Sequence, residues 1–490
     1  MSIIRSMRVF VTILLIFGAL FLAVPAHARA VPAAVPTLDY VVRADDLARR
    51  RLHVTLRISG VDGDSVLLDG VPVYMDNPTV AAADSAVRDL RAVDASGRSV
   101  RVAAAATSDG HPAWWVIDAR EPVISYTLAV EFKDSPQTGR YGILIPYMDT
   151  DRAWLYGNTV FCVPRLAHDV RATASVPARI RVVFDLPEEI PLVALADTTE
   201  VRNIYELMSL QFGLGRFVSE RGTANGVGFE VVYRDSSEFS PGERALLLQR
   251  TGEMMTAETN YFRGAPFARL AAFYFRDDGV GGLEGSNAFQ AYALPGLDLT
   301  DTTNPRVRAF YSVAVHELFH TWNPVHMTAT EDPWIKEGVS CYAHLVLSGR
   351  LGYLTPEDIA GSWNRYYEQL DSNATLRTIA LTDPRLWTRE YDGEEWRLVT
   401  YERGMVTALL LDVHIREATD NLRSLDDVLA GLYARHAHRG YDHAQLKETI
   451  HAATGVDAAA FFARYVEGAP APSREEVQAA FERAVALGVF

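Results

Sequence analysis

Residues 313–324 read VAVHELFHTWNP, with two histidines four positions apart and a glutamate directly after the first. Positions four apart lie on one face of a helix. His316 and His320 can therefore offer two imidazoles to a single ion, with Glu317 beside them. This pattern constrains the chain more tightly than any bulk property. It asks for a helix that aims both rings, a second element that supplies a third ligand, and a coordination position left open to water. Taken alone, the pair fits equally well a helix carrying two core or solvated histidines. The rest of the chain decides.

Glu337 in WIKEG follows His320 by 17 residues, far enough for a turn and a returning helix to bring it back to the same ion. The implied ion is zinc, one per chain. Zinc acidifies a water and polarises a carbonyl, and Glu317 is placed to take the water's proton and pass it to a leaving amine. The expected helix carrying the histidines opens at Asn304–Pro305 and ends at Asn323, because Pro324 disfavours helical geometry in the residue before it.

The chain of 490 residues is long enough for two or three compact units. Residues 1–28 stand apart: Arg5 and Arg8, an unbroken apolar run VFVTILLIFGALFLAV, then AHA at 26–28. That is the layout of a signal peptide cut after Ala28, so the expectation is an exported protein, periplasmic or extracellular. An uncleaved anchor is the alternative, since the run is nearly long enough to span a bilayer. No second apolar span follows. Removing the leader leaves 47 − 2 = 45 basic against 62 acidic residues, near −17. Such a charge argues against nucleic acid or an anionic membrane as the main partner. Peptide substrates remain the expected partners, and the oligomeric state is open. Cys162 and Cys341 read as two buried thiols, although export would permit a disulfide.

From residue 36 to 225 the pattern alternates with period two. RLHVTLRI places Leu52, Val54, Leu56 and Ile58 on one face, ISYTLAVEF does the same from Ile124 to Phe132, and RIRVVFDL from Ile180 to Leu186. This reads as an antiparallel β domain. After residue 226 the character changes. FEVVYR is a strand, Ser240-Pro241 with Glu243 opens a capped helix, FARLAAFYF is a buried strand, and helices dominate beyond 305. The predicted fold class is α+β, with the second unit over 226–470 and a terminal helix over 471–490. His436, His438 and His443 in HAHRGYDH read as a solvated loop rather than a second metal site, because no cysteine or acidic pattern accompanies them.

HELFHTWNP resembles the HExxHTWN signature of the glycyl aminopeptidase family of gluzincin metalloproteases. WIKEGVSCY resembles that family's WxxEGxxxYY segment, GVGGLEGSN at 279–287 its GGLEH loop, and TYERGMVTALLLD its YxKG helix start. The four blocks keep the family's order. The resemblance implies an N-terminal β domain followed by a thermolysin-like catalytic domain with a mostly helical C-terminal part. It makes His316, His320 and Glu337 the zinc ligands and Glu317 the general base. Tyr401 matches the tyrosine that related gluzincins aim at the tetrahedral oxyanion, a donor whose bond strengthens as charge develops. On its residues alone, Tyr401 is a helix-start tyrosine packing on the core.

The glycine-rich stretch with Gly282 lets a peptide backbone approach closely, and the Glu284 carboxylate could pair with a substrate's free α-amino group. Otherwise Glu284 is a turn residue in solvent. Three departures stand out. Gly285 replaces the usual histidine, Arg403 replaces the usual lysine while keeping its charge, and the sequence after FFARYVEGAP has room for one helix but not for the C-terminal PDZ domain common in the family. The expected activity is an exported zinc aminopeptidase. A zinc endopeptidase or a catalytically lapsed peptide-binding protein is the alternative.

Overall fold

The alternating strands of the first half close over a core because every second side chain points inward. In the strand Thr37–Arg43 the residues Leu38, Tyr40 and Val42 are buried, and in Arg51–Ser59 so are Leu52, Val54, Leu56 and Ile58. The structure, a computed structural model, describes residues 35–45, 47–70, 87–106, 112–129, 147–167, 173–174, 176–277, 281–328, 333–388 and 393–490. The leader assigned to residues 1–28, and Val130 and Phe132 of the ISYTLAVEF face, lie outside the described residues.

Ten strands of this half form one sheet, with Thr37–Arg43 antiparallel to Arg51–Ser59 and, on its other edge, parallel to Pro177–Asp185. The antiparallel expectation therefore holds with one parallel pairing inserted. A four-stranded sheet, with Arg152–Tyr156 and Gln211–Gly215 at its centre, faces the second half. There the strand order is Val218–Ala224, Val227–Tyr233, Arg269–Arg276, Ala288–Ala293 and Gly281–Leu283. The middle pairings are parallel and both edge strands are antiparallel. The expected change of character at 226 falls inside the first hairpin of this sheet, since Val218–Ala224 pairs with Val227–Tyr233.

Trp154 and Tyr156 from the four-stranded sheet bury against Phe273, Phe275, Leu283 and Tyr292 of the five-stranded one, making an apolar wedge between the two halves. A 22-residue helix, Pro241–Phe262, starts at Ser240 with the predicted capping box to Glu243. Helices then cover most of the chain to its end, including Gly404–Ala418, Leu425–His436, His443–Thr454 and Arg474–Ala486. No helix among the described residues is long and apolar enough to cross a membrane. Cys162 and Cys341 are free thiols, the first fully buried.

Candidate metal centre

The helix Pro305–Phe319 starts where proline can sit without losing a hydrogen bond, with the Asn304 side chain accepting from Arg306 N at 3.0 Å. It ends at Phe319, not at Asn323. Asn323 is pushed to an extended conformation (φ −119°, ψ 104°) by the proline after it, so the chain leaves the α-helix through a wide turn over Thr321–His326. That early exit serves the site. It swings the Asn323 carbonyl back to 2.8 Å from His320 Nδ1, so that nitrogen donates and Nε2 keeps its lone pair for a ligand. The Asn323 side chain in turn donates to Ile335 O and Ser340 Oγ, holding the returning segment in place. Trp322 stacks on Phe262 and donates to Gly264 O, anchoring the turn in the core.

Glu337 comes back on the segment Ile335–Val339 ahead of the helix Ser340–Arg350. Its approach depends on Gly338. A Cβ there would stand 2.4 Å from Gly404 atoms, so two glycines let this segment and the helix Gly404–Ala418 cross backbone to backbone. The three proposed ligand atoms converge: His316 Nε2 to His320 Nε2 is 2.9 Å, His320 Nε2 to Glu337 Oε2 is 3.3 Å, and His316 Nε2 to Glu337 Oε2 is 3.7 Å. Zinc bonds of about 2.0–2.2 Å in a tetrahedron set ligand atoms about 3.3–3.6 Å apart, so these residues fit the ion.

The electrostatics agree. Burial alone would lower His320, yet the Glu337 carboxylate beside it pushes its pKa up to about 9. Burial would raise Glu337, but Lys336 and His320 hold it well below the carboxylate range. The pocket between these atoms asks for a positive charge. His316, its side chain 12% exposed, is shifted down, by loss of solvent first and then by the charge on His320, and its Nδ1 makes no hydrogen bond among the described residues.

Glu317 lies beside the ligands, 8% exposed. Burial pushes its carboxyl up to about 8, with His320 opposing and Glu284 and Glu337 reinforcing the rise. Gly282 explains its position: a Cβ there would meet Glu317 Cγ at 2.2 Å, so the edge strand Gly281–Leu283 passes against the Glu317 side chain. What approaches Gly282 in this structure is the carboxylate itself. Tyr401 lies on the wide turn Leu398–Arg403, its ring stacked on His316 at 6.5 Å between centroids. Burial and the nearby Glu337 charge keep its hydroxyl protonated.

Two further readings need correction. Glu284 is not a solvent turn: it is 5% exposed and its Oε1 lies 2.9 Å from Lys336 Nζ, which also reaches Glu337 Oε1 at 3.2 Å. Lys336 was missed because its place in WIKEG carries no motif signal. Gly285, where the family usually has histidine, is closely packed: a Cβ there would meet Ala288 O at 2.5 Å and Ser209 O at 2.8 Å. His438 is not simply a solvated loop residue, because its Nδ1 sits 2.6 Å from Glu206 Oε1 in a buried setting. Arg403 keeps its charge but spends it elsewhere: fully buried, it donates to the carbonyls of Leu376, Ile379, Gly468 and Ala469 rather than facing the ligands.

Comparison with family models and with curated proteins finds no match. Comparison with solved structures does. An aminopeptidase N family protein from Idiomarina loihiensis superposes with a TM-score of 0.68 at 15% identity, over 90% of this chain and 78% of that one. An M1 zinc metallopeptidase from Deinococcus radiodurans gives 0.59 at 16%, over 90% and 95%. A mutant of the Deinococcus radiodurans enzyme bound to a Tyr-Ser-Ala substrate gives 0.57 at 16%, with the same coverage. The fold is that of the M1 zinc metallopeptidases. At this identity the likeness establishes the M1 fold, and the chemistry rests on the residues described above.

Proposed function

We propose that this chain is an exported zinc aminopeptidase, of the glycyl aminopeptidase type within the gluzincins, holding one zinc at His316, His320 and Glu337. The observation that carries the reading is the convergence of those three ligand atoms within 2.9–3.7 Å, with Glu317 alongside. Bound zinc supplies Lewis acidity that polarises a carbonyl and acidifies water. Glu317, pushed up to about 8, is basic enough to take a proton from water and acidic enough to return it to a leaving amine. The Tyr401 hydroxyl, kept protonated, donates to the oxygen on which negative charge develops. The Glu284 carboxylate, which burial would raise but Lys336 and His320 together hold below its usual range, is an anionic anchor for an α-ammonium group. The M1-fold enzyme from Deinococcus radiodurans has been seen with a Tyr-Ser-Ala substrate, and that supports a peptide as the ligand here. The basic start, apolar run and AHA signal of residues 1–28 support export.

One observation favours a second reading. Lys336 already sits on Glu284, so an incoming α-ammonium must compete with it. If it cannot, the site reads no free amino end and acts as an endopeptidase. The test is to incubate the zinc-loaded protein with a mixed peptide pool and read the new termini by mass spectrometry. Loss of single N-terminal residues is the expected result. Internal cuts reject the aminopeptidase reading, and no cleavage at all rejects both.

A further inference from the structure

Outside the centre just described, one buried cluster is used by none of that chemistry. Glu206, on the short helix Ile204–Met208, projects Oε1 toward His326 Nδ1 at 3.5 Å and His438 Nδ1 at 2.6 Å. The two histidine nitrogens are 3.3 Å apart. All three residues come from distant parts of the chain, and Glu206 and His326 are 3% and 5% exposed.

We propose that Glu206, His326 and His438 form a second metal site, for a zinc-like divalent transition ion, that staples three separate segments together.

Two of the three separations already match the about 3.3–3.6 Å of tetrahedral zinc ligands, and the third opens to it with a shift of about one ångström. Two imidazoles and a carboxylate form a donor set that suits zinc better than calcium or magnesium, which take oxygen. The outer partners are in place as well. His326 Nε2 lies 3.0 Å from the Ser286 carbonyl, so it carries the proton and Nδ1 presents its lone pair. Glu206 Oε2 accepts from Arg202 N at 3.0 Å, while Oε1 faces the histidines and also accepts from Asn203 Nδ2 at 3.3 Å. His438 N donates to His326 O at 2.8 Å and Tyr441 N to Thr328 O at 3.0 Å, so the loop bearing His438 is latched beside the turn bearing His326. His438 takes a left-handed φ of 64°, a conformation uncommon outside glycine. Its side chain keeps 16% exposure, an edge from which water can supply a fourth ligand. The competing arrangement is metal-free, with a proton on His438 Nδ1 shared by Glu206 and His326.

The test is zinc content by mass spectrometry on the full chain after stripping, reloading and desalting. Wild type should hold about two zinc ions per chain, and His438→Gln and His320→Ala about one each. If His438→Gln keeps the wild-type content, the second site is overturned, whatever His320→Ala does. If His438→Gln loses one ion while His320→Ala loses none, the second site stands and the proposed reaction centre fails instead. To separate loss of the ion from a folding defect in His438→Gln, a variant carrying both His316→Ala and His320→Ala is titrated with cobalt, which gives ligand-field bands in a nitrogen–oxygen site. Bands that disappear on adding Glu206→Gln support the site. A folded double variant with no bands overturns it.

Discussion

Two clusters in this molecule have the same composition, two histidines and one glutamate, and differ in almost everything around them. His316 and His320 come from one helix and the residue that caps its end, and Glu337 from the segment that returns to it. Glu206, His326 and His438 come from three distant places in the chain. The first has a buried carboxylate, Glu317, and a protonated tyrosine, Tyr401, next to it, and both can act on a substrate. The second is surrounded by ties: Arg202 N on Glu206, Ser286 O on His326, and His326 O on His438 N. Ligand type sets which ion fits, and the neighbours set whether that ion does chemistry or holds structure.

The comparison breaks most visibly at Glu317. Glu317→Gln should keep zinc and fold but lower kcat by about a hundred- to ten-thousandfold, since an amide cannot accept the proton. Steady-state kinetics with zinc analysis check this, and wild-type turnover would remove Glu317 from the mechanism. Glu284→Ala should lower kcat/KM on peptides with a free amino end by about ten- to a hundredfold, the worth of a charge-assisted hydrogen bond of about 1.5–3 kcal/mol. The same variant should lose the preference for free over N-acetylated peptides. Equal cleavage of both forms by wild type would promote the endopeptidase reading.

At the second cluster the expected pattern is reversed. Glu206→Gln should cost about 1–3 kcal/mol of stability, because it removes a buried carboxylate acceptor from the Arg202 backbone and the two histidines, while kcat/KM changes by less than about threefold. Denaturation with parallel kinetics separates the two effects.

Glu258 sharpens the contrast by having no cation at all. Both of its oxygens are buried without a hydrogen-bond partner among the described residues, and burial raises it well above the carboxylate range. The native state then holds a proton that the unfolded chain releases above about pH 4.3. Its contribution therefore falls as pH rises from there toward the folded pKa. Glu258→Met should stabilise the protein at pH 8 by about 1–3 kcal/mol and flatten that decline, measured as unfolding midpoints at pH 5 and pH 8.

Much of the first cluster was legible because its geometry is local. Spacing on a helix puts His316 and His320 together whatever the rest of the chain does, and a turn and return suffice for Glu337. The period-two faces of the β half and the capping box at Ser240 were legible for the same reason. Lys336 was not. Its side chain meets Glu284, just past the distant edge strand Gly281–Leu283, and no local pattern encodes that meeting. The role of Gly282 was also hidden, because the atom that needs the room belongs to Glu317 on another element.

By itself the sequence determined the ligand-bearing helix, its start at Asn304–Pro305, and the alternation that makes the first half a sheet. These follow from backbone sterics and side-chain periodicity, which act over a few residues. Only the tertiary structure decided that Glu284 faces a lysine, that Arg403 is buried on backbone carbonyls, and that Glu206 meets two histidines from distant segments. Those depend on which surfaces the packed elements bring together, and burial, by removing water, makes each such meeting count.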